Sequence, residues 1–284
     1  MAASGIGPDD VVYDLGAGKG ILTQALAERA ARVIAVEKDQ GLVRHLRARF
    51  NDYSNVAVRH TDIQTYVLPR ANYVVFANPP FDITSAVIRK LTTAPVPPRE
   101  AWLMLQREAA ERYLGSPAQT LAALQIAPWF AVDVVHRFKR SDFLPAPAVE
   151  VVLVRVRKRG PPLVPARESQ IYRDFIAAIF TAWRPTIGSS IADRIGARAA
   201  RRLLATAGVD PHSKPSAVSQ ASWLALYERF ARLDPALRAH VAGAEVRLRS
   251  QQSHLTRRHR TRAPRDGLPS LVDDTPLVEQ PVLR

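Results

Sequence analysis

The segment Asn78-Pro79-Pro80-Phe81 carries the residue types best suited to chemistry in this chain. It follows Tyr73–Ala77, a run of apolar residues that predicts a buried strand. The side-chain oxygen of Asn78 and the carbonyl of Pro79 are acceptors that would hold a planar exocyclic amino group, and the two prolines stiffen the loop. Phe81 offers a flat face on which a base would stack. Taken alone, these four residues are also compatible with a proline-rich turn.

A second motif, Asp14-Leu-Gly16-Ala17-Gly18-Lys-Gly20, joins a predicted strand to a predicted helix. Glycines at such a turn permit positive φ angles and close approach of a ligand to the backbone. The full Gly-x-Gly-x-x-Gly dinucleotide signature is absent, so NAD is the weaker nucleotide ligand. Asp14 lies one residue before the turn. Its carboxylate would either order the loop or meet a ligand amine, such as the amino-acid part of S-adenosylmethionine.

Acidic side chains follow the second and third predicted strands. Glu37 comes directly after Val33–Val36, about twenty residues past the glycine loop, where a carboxylate would hydrogen-bond both hydroxyls of a ribose. Asp62 would accept a hydrogen bond from an adenine amine, with Ile63 packing on the adenine ring. Taken singly, Glu37 is also compatible with a solvated charged run that includes Lys38, and Asp62 with a cap.

Short apolar runs alternate with amphipathic helical patterns up to about residue 157. The alternation predicts a mostly parallel α/β sheet with helices on both faces, in which one of the last two strands is antiparallel. Seven strands are predicted, at Val11–Leu15, Val33–Val36, Val56–Arg59, Tyr73–Ala77, Ala101–Leu105, Phe130–Val135 and Val149–Arg157. Ligands of an open α/β sheet bind at the edge formed by the carboxyl ends of its strands. The glycine loop, Glu37, Asp62 and Asn78 all fall at that edge.

Past Gly160-Pro-Pro162 the pattern becomes helical and predicts no strand. Helices are predicted at Tyr172–Ala182, Ile187–Ala207 and Ser219–Leu233. The chain is therefore divided into an α/β domain (1–160), a smaller all-helical domain (161–235) and a basic, disordered tail (236–284).

The charge balance favours a polyanionic partner. Lys and Arg number 40 and Asp and Glu 26, which gives a formal charge of +14. Nucleic acid is the first candidate and an anionic membrane surface the second. No stretch reaches the roughly 20 apolar residues that span a bilayer. The seven His show no ligand spacing, so no metal is predicted, and the lack of Cys excludes disulfides and thiolate catalysis. We predict a cytoplasmic monomer.

Basic residues in and next to the helical domain are expected to bind phosphates, although a solvated helix face would also explain some of them. The basic residues of this predicted cluster are Arg155, Arg157, Lys158, Arg159, Arg184, Arg194, Arg198, Arg201 and Arg202. Trp129, Trp183 and Trp223 are interpreted as core residues rather than as platforms for RNA bases.

The order of these motifs resembles the rRNA adenine N6-methyltransferases, which comprise the Erm enzymes and the dimethyladenosine transferases of KsgA type. Further matching segments are Leu105-Gln-Arg-Glu108, Phe143–Val149 and Val209–Tyr227, and the resemblance covers roughly residues 9–233. It implies a Rossmann-like class I methyltransferase domain with a smaller all-helical C-terminal domain. It also implies S-adenosylmethionine as methyl donor and rRNA as substrate.

The resemblance also implies roles for single residues. The implied catalytic positions are Asn78, Pro79 and Phe81. The implied cofactor positions are Gly16, Ala17 and Gly18 for the methionine end, Glu37 for the ribose, and Asp62 and Ile63 for the adenine. Asp14, Lys38 and Asn78 complete the predicted cofactor-binding set. Related proteins carry a Gln-Asn/His-Phe-Leu segment upstream, over the methionine end of the cofactor. We therefore expect that the N-terminal lid segment is missing here.

Three features favour the Erm type. They are the Arg-rich tail, the segment Phe180-Thr-Ala-Trp183 without an Arg-Arg-Lys run, and Asn-Pro-Pro-Phe in place of the Asn-Ile/Leu-Pro-Tyr usual in KsgA types. We predict N6-methylation of an adenine in 23S rRNA, with resistance to macrolides, lincosamides and streptogramin B. The alternatives are a KsgA-type enzyme acting on 16S rRNA, a non-catalytic RNA-binding factor on the same fold, and a DNA adenine methyltransferase.

Overall fold

The computed structural model describes residues 4–144, 146–260 and 282–283. The strands are β1 (Val11–Leu15), β2 (Arg32–Glu37), β3 (Val56–His60), β4 (Val74–Ala77), β5 (Glu100–Gln106), β6 (Phe130–Arg137), β7 (Phe143–Leu144), β8 (Val151–Lys158) and β9 (Val282–Leu283). The helices are α1 (Ile21–Ala27), α2 (Gln40–Arg49), α3 (Thr84–Thr92), α4 (Arg107–Leu114), α5 (Leu121–Ile126), α6 (Ser169–Phe180), α7 (Ile187–Ile195), α8 (Ala197–Ala207), α9 (Gln220–Phe230), α10 (Pro235–Ala239) and α11 (Ala244–Arg260).

Seven strands form one sheet in the order β3-β2-β1-β4-β5-β8-β6. Neighbouring strands are parallel from β3 to β5, and β8 runs antiparallel to both β5 and β6. The predicted mostly parallel sheet with one antiparallel strand near its end is therefore confirmed. A second, two-stranded pairing joins β7 to β9 in antiparallel orientation. The expectation of no strand after residue 162 is wrong at β9.

The central strands are apolar because helices cover both faces of the sheet. The side chains of Val12, Leu15, Ala77 and Leu103 are fully buried, as expected for strands enclosed on both sides. The register places Leu15 beside Val36 on β2 and beside Ala77 on β4. The segments that leave β1, β2 and β4 therefore start at one level along the same edge of the sheet.

The described residues fall into two compact units. The first comprises 4–114, 129–160 and 282–283, and the second comprises 115–128 and 161–260. The predicted α/β domain 1–160 differs from the first unit by the segment 115–128. Hydrogen bonds explain this difference, because the Tyr172 hydroxyl donates to the Leu124 carbonyl at 2.9 Å and the Gln119 N–H donates to the Ser216 carbonyl at 2.8 Å.

The core of the second unit is aromatic. Tyr172, Phe175, Trp223, Tyr227 and Phe230 are all buried, and Phe175 lies 4.6 Å from Phe230 between ring centroids. This core fixes α6 against α9. Within the described residues, no helix of either unit is long and apolar enough to cross a membrane.

The predicted helix Ile187–Ala207 is wrong in one respect, because it is two helices. Gly196 has a φ of 85° and separates α7 from α8. A left-handed φ of this size suits glycine and interrupts the helical hydrogen-bond ladder.

The predicted disordered tail is wrong over residues 236–260, which contain most of α10 and the whole of α11. The buried Asp174 carboxylate accepts hydrogen bonds from the N–H groups of Gly243 at 3.0 Å and Glu245 at 2.9 Å. Glu245 is itself buried and lies 3.7 Å from the Arg173 guanidinium. These bonds satisfy N–H groups at the start of α11 and attach it to α6. Residues 261–281 and 284 of the predicted tail lie outside the described residues.

Candidate active site

The glycine loop after β1 is fixed to the end of β2. The N–H groups of Gly16 and Ala17 donate to the Val36 carbonyl at 2.8 and 3.1 Å, and the Gly20 N–H donates to Ala17 at 2.9 Å. Gly16, Gly18 and Gly20 all have positive φ angles, of 84°, 55° and 81°. The backbone therefore adopts a turn that side chains with a Cβ would strain.

Glu37 holds the same loop from the second strand. One carboxylate oxygen accepts the Gly18 N–H at 2.9 Å, and the other accepts the N–H groups of Lys38 and Asp39 at 2.8 and 2.9 Å. The side chain is buried, whereas Lys38 is exposed. Glu37 is thus a fixed group of the sheet edge rather than part of a solvated charged run.

Asp14 lies under the loop rather than on its surface. Its carboxylate is buried and accepts a hydrogen bond from the Thr23 hydroxyl on α1 at 2.6 Å. Burial raises the pKa of Asp14 to about 7, with a smaller upward contribution from the negative charge of Glu37 and an opposing one from the Thr23 hydroxyl. These contacts favour the loop-ordering alternative for Asp14. Thr23 was not singled out from the sequence, although a hydroxyl in the first turn after the glycine loop is a signal for it.

Gly16 is the point at which three candidate residues converge. A Cβ at this position would lie 3.3 Å from Cδ1 of Ile63 and 3.7 Å from the backbone oxygen of Asn78. The end of β1 is therefore in close contact with the segments that follow β3 and β4. Glycine leaves open space here that any other residue would reduce.

Asp62 forms the first turn after β3. Its carboxylate accepts the Gln64 N–H at 2.7 Å, and its carbonyl accepts the N–H groups of Thr65 and Tyr66. The carboxylate thus orders a turn rather than a helix start, because the described residues between β3 and β4 contain no helix. The contact of Asp62 with an adenine amine stays a prediction, and Ile63 beside it is buried.

Asn78 begins a short, tightly turned loop after β4. Pro79 is buried, Asn78 and Phe81 are half-buried, and the Pro80 carbonyl accepts the Ile83 N–H at 3.1 Å in a single 3₁₀ turn. The Phe81 ring packs against a cluster of Met104, Phe143 and Val151. That cluster holds part of the ring, and the remaining exposed part is available to a ligand.

Thr84 is a residue of this loop that sequence reasoning missed. Its hydroxyl is buried at the start of α3, three residues after Phe81, and has no hydrogen-bond partner within the described residues. A buried hydroxyl without a partner is uncommon and indicates an unusual environment. A hydroxyl residue soon after the Asn-Pro-Pro-Phe motif was the available signal.

In the helical unit, the interpretation of Trp183 as a core residue is wrong, because its side chain is 96% exposed. Trp223 is fully buried as expected, and Trp129 is half-buried. The side chains of Arg198 and Arg201 are exposed on α8. In the part of the chain that the structure describes, no group of three His, Asp or Glu residues is placed to hold a metal ion.

The sheet order, the glycine loop and the acidic residue at the end of β2 define the first unit as a Rossmann-like methyltransferase domain. The chain belongs to the ribosomal RNA adenine dimethylase family, whose model matches residues 1–232. The predicted family is therefore confirmed. The predicted enzyme class, an rRNA adenine methyltransferase, is the class that this family describes.

Curated relatives come from both branches of the family. An rRNA adenine N-6-methyltransferase of Bacillus licheniformis is 33% identical over 157 residues, which are 55% of each chain. One of Corynebacterium diphtheriae is 32% identical over 177 residues, 62% of this chain and 69% of the relative. Ribosomal RNA small subunit methyltransferase A of Geobacillus thermodenitrificans is 28% identical over 241 residues, 79% of this chain and 82% of the relative. The chain thus spans just over half the length of the Bacillus relative.

Among solved structures, the 23S rRNA methyltransferase ErmE is 28% identical with a TM-score of 0.74, covering 81% of this chain and 95% of ErmE. A dimethyladenosine transferase from Plasmodium falciparum is 22% identical with a TM-score of 0.67, covering 81% of this chain and 93% of that structure. The second likeness concerns the fold alone.

Proposed function

We propose that this protein transfers a methyl group from S-adenosylmethionine to the N6 amine of an adenine in rRNA, and that 23S rRNA is its substrate. The convergence of Gly16, Ile63 and the Asn78 backbone at one edge of the sheet carries the proposal. Two of the proposed cofactor positions, Gly16 and Ile63, thus lie near Asn78, the first residue of the proposed catalytic segment. In the cell, such methylation would confer resistance to macrolides, lincosamides and streptogramin B.

The residues around the loop fit the proposed cofactor. A carboxylate has about four acceptor positions, and Glu37 uses three of them for the N–H groups of Gly18, Lys38 and Asp39. The fourth position would accept one ribose hydroxyl, and displacement of the Gly18 N–H would free a position for the second. A Cβ at Gly18 would meet nothing within 4 Å, so there is open space beside the loop for the methionine end.

The Asn78 loop suits the chemistry of an aromatic amine. The lone pair of the N6 amine is delocalised into the adenine ring, and S-adenosylmethionine supplies an electrophilic methyl group. The Asn78 side-chain oxygen and the Pro79 carbonyl would accept the amine hydrogens and orient the lone pair toward that methyl group. The exposed part of Phe81 would stack on the unstacked base, which offsets part of the free energy of removing the base from its helix. As the new N–C bond replaces the S–C bond, the sulfur would leave as a neutral thioether and the nitrogen would become cationic and strongly acidic. The nitrogen would then lose its proton to solvent, so no strong general base is required.

The comparisons support two substrates. The likeness to ErmE over 95% of that structure supports 23S rRNA. The longer match to small subunit methyltransferase A, over 79% of this chain, supports 16S rRNA as the second candidate. Either substrate would place the protein in the cytoplasm, and we propose that it acts as a monomer, because every proposed site residue lies on one chain.

The test is transfer of labelled methyl to three substrates in parallel: protein-free 23S rRNA, 16S rRNA in 30S particles and duplex DNA. We expect label on 23S rRNA that depends on Asn78 and disappears in Asn78→Ala. Label confined to 30S particles would replace the 23S substrate with 16S rRNA. Absence of transfer to all three, by protein that still folds, would contradict the proposed activity.

A further inference from the structure

Trp183 has an exposure that no other tryptophan of this chain shares. Its side chain is 96% exposed, whereas those of Trp102 and Trp223 are fully buried and that of Trp129 is half-buried. Tryptophan is among the side chains with the most apolar surface and is usually well buried. An indole held almost completely in solvent is therefore a candidate contact for a partner.

The backbone at Trp183 is held in an unfavourable conformation. Its φ of 55° is the only positive φ of a non-glycine residue within the described residues. The segment is short and anchored on both sides, because the Thr181 hydroxyl donates to the Ala177 carbonyl at 2.7 Å and Thr186 caps the start of α7. Strained residues of this kind persist where the surrounding structure fixes them, and they occur often at binding sites.

The segment that follows Trp183 in the chain carries a net positive charge. Arg184 forms an ion pair with Asp193 at 2.6 Å, and Arg194 approaches the same carboxylate at 4.0 Å while it donates to the Ala178 carbonyl at 3.2 Å. One carboxylate thus lies between two guanidinium groups, which leaves a net positive charge on this trio of side chains. The pairing also fixes the position of Arg184, the residue that follows Trp183.

The next helix adds further unpaired charge. Arg198, Arg201 and Arg202 are exposed on α8, and their spacing of three and four residues places them on one helix face. None of them forms an ion pair within residues 4–144 and 146–260. Guanidinium groups without an acidic partner favour phosphate as a ligand.

We propose that Trp183 is a stacking platform for an unpaired base of the RNA substrate, and that the arginines of α8 bind the adjoining phosphates. Unpaired RNA bases stack on aromatic side chains, and the backbone that carries them is a polyanion, so the indole and the positive charge match one ligand. This inference rests on the proposed function, because that function supplies the RNA. A second copy of the chain would require a matching anionic surface, which its charge of +14 disfavours.

The test measures binding of two labelled RNAs, a hairpin with an unpaired purine loop and a fully paired duplex of the same length. We expect Trp183→Ala to weaken binding of the hairpin about 5- to 150-fold, a range that corresponds to the free energy contributed by one stacked base. The affinity for the duplex should be unchanged. Trp183→Phe, which keeps an aromatic face, should stay within about threefold of the wild type. Val67→Ala is the matched control, because Val67 is an apolar side chain that is 84% exposed in the first unit.

Salt dependence separates stacking from charge. Arg201→Gln should make the negative slope of log K against log salt shallower by about 0.7, whereas Trp183→Ala should leave that slope unchanged. Equal hairpin affinity of Trp183→Ala and wild type would overturn the proposal, as would an equal loss on the duplex. Loss of self-association in Trp183→Ala, with RNA binding intact, would assign the surface to a second copy and overturn it as well.

Methyl transfer in the same samples distinguishes this inference from the proposed function. If Trp183→Ala binds the hairpin more weakly than the wild type, but the wild type transfers no methyl group, the stacking site is supported and the proposed methyltransferase activity is rejected. If the wild type and Trp183→Ala transfer methyl groups equally and bind the hairpin equally, the stacking site is rejected and the methyltransferase activity is supported. Since Trp183 lies outside the core, thermal melting is expected to be similar in all variants.

Discussion

Glu37 is surrounded by more N–H donors than a surface glutamate would have, and this determines what its replacement should do. Glu37→Gln keeps the size of the side chain and replaces one carboxylate oxygen with an amide nitrogen. One of the N–H groups of Gly18, Lys38 or Asp39 then loses its acceptor, and a ribose would meet a weaker partner. We expect affinity for S-adenosylhomocysteine, measured by calorimetry, to fall about 10- to 100-fold.

The matched control for this change is Glu28→Gln, since Glu28 is exposed at the end of α1. Its affinity should equal that of the wild type. Unchanged affinity in Glu37→Gln would remove Glu37 from the cofactor site and leave it a purely structural role.

Asp14 makes the stability of the first unit dependent on pH. Burial raises its pKa from 3.8 to about 7, so the folded protein binds the proton more tightly than the unfolded chain does. The associated stability is present below about pH 4 and is lost as pH rises through 7. The side chain in Asp14→Asn does not titrate. The free energy of unfolding of this variant, relative to that of the wild type, should therefore increase by roughly 2–3 kcal/mol from pH 5 to pH 8.

Urea unfolding of both proteins at the two pH values measures this difference. The exposed Asp9→Asn serves as the control for loss of a carboxylate. A difference between wild type and Asp14→Asn that stays constant from pH 5 to pH 8 would contradict the assignment of the raised pKa to Asp14.

At the scale of elements, the turn between β1 and α1 offers a matched pair of glycines. A Cβ at Gly20 would lie 2.7 Å from Cε2 of Phe50 and 2.8 Å from Cδ2 of Leu46, whereas one at Gly18 would meet nothing within 4 Å. Both residues have positive φ, so alanine strains the backbone at each. We expect Gly18→Ala to lose about 1–2 kcal/mol and Gly20→Ala about 2 kcal/mol more, because of the added overlap.

Denaturant midpoints of the two variants test this pair directly. Equal midpoints would show that Phe50 and Leu46 move aside without loss of stability. The helix α1 would then be less firmly packed against α2 than the distances indicate.

The attachment of α11 should depend on one carboxylate. Asp174→Ala leaves the N–H groups of Gly243 and Glu245 without their acceptor. Each buried group left without a partner destabilises the folded protein by about 1–3 kcal/mol. We therefore expect amide hydrogen exchange over residues 243–249 to accelerate by at least tenfold. Asp234→Ala is the control, because Asp234 caps the exposed start of α10 and its loss should stay local. Slow exchange over 243–249 in Asp174→Ala would show that other contacts hold the helix.

Elements with a strong periodic pattern were predictable, and elements defined by single contacts were not. Val11–Leu15 was predictable as a buried strand from its run of mostly apolar residues, and the structure places every residue from Val12 to Leu15 in the interior. The Arg-rich sequence of α11 resembles a disordered tail, because its order depends on Asp174, seventy residues away along the chain. The break at Gly196 and the association of 115–128 with the helical unit likewise depend on tertiary contacts.

For the whole molecule, the family and fold followed from the order of motifs along the chain, since the strand ends lie at one edge of the sheet. The positions of the candidate residues at that edge were predictable from strand order. The hydrogen-bond and packing partners of these residues were not predictable from the sequence. Glu37 bonded to the Gly18 N–H, Asp14 buried against Thr23 and Trp183 in solvent all depend on side-chain packing that periodicity does not encode.

The central claim is that the sheet edge and the Asn78 loop form one site for methylation of adenine. The most direct test is incubation of protein-free 23S rRNA with S-adenosylmethionine and the protein, followed by digestion and mass spectrometry of the nucleosides. The wild type should yield N6-methylated adenosine, and Asn78→Ala should yield about 100-fold less while it still binds S-adenosylhomocysteine. Equal yields of N6-methylated adenosine from the two proteins would contradict the claim. So would the absence of N6-methylated adenosine with a wild type that binds S-adenosylhomocysteine.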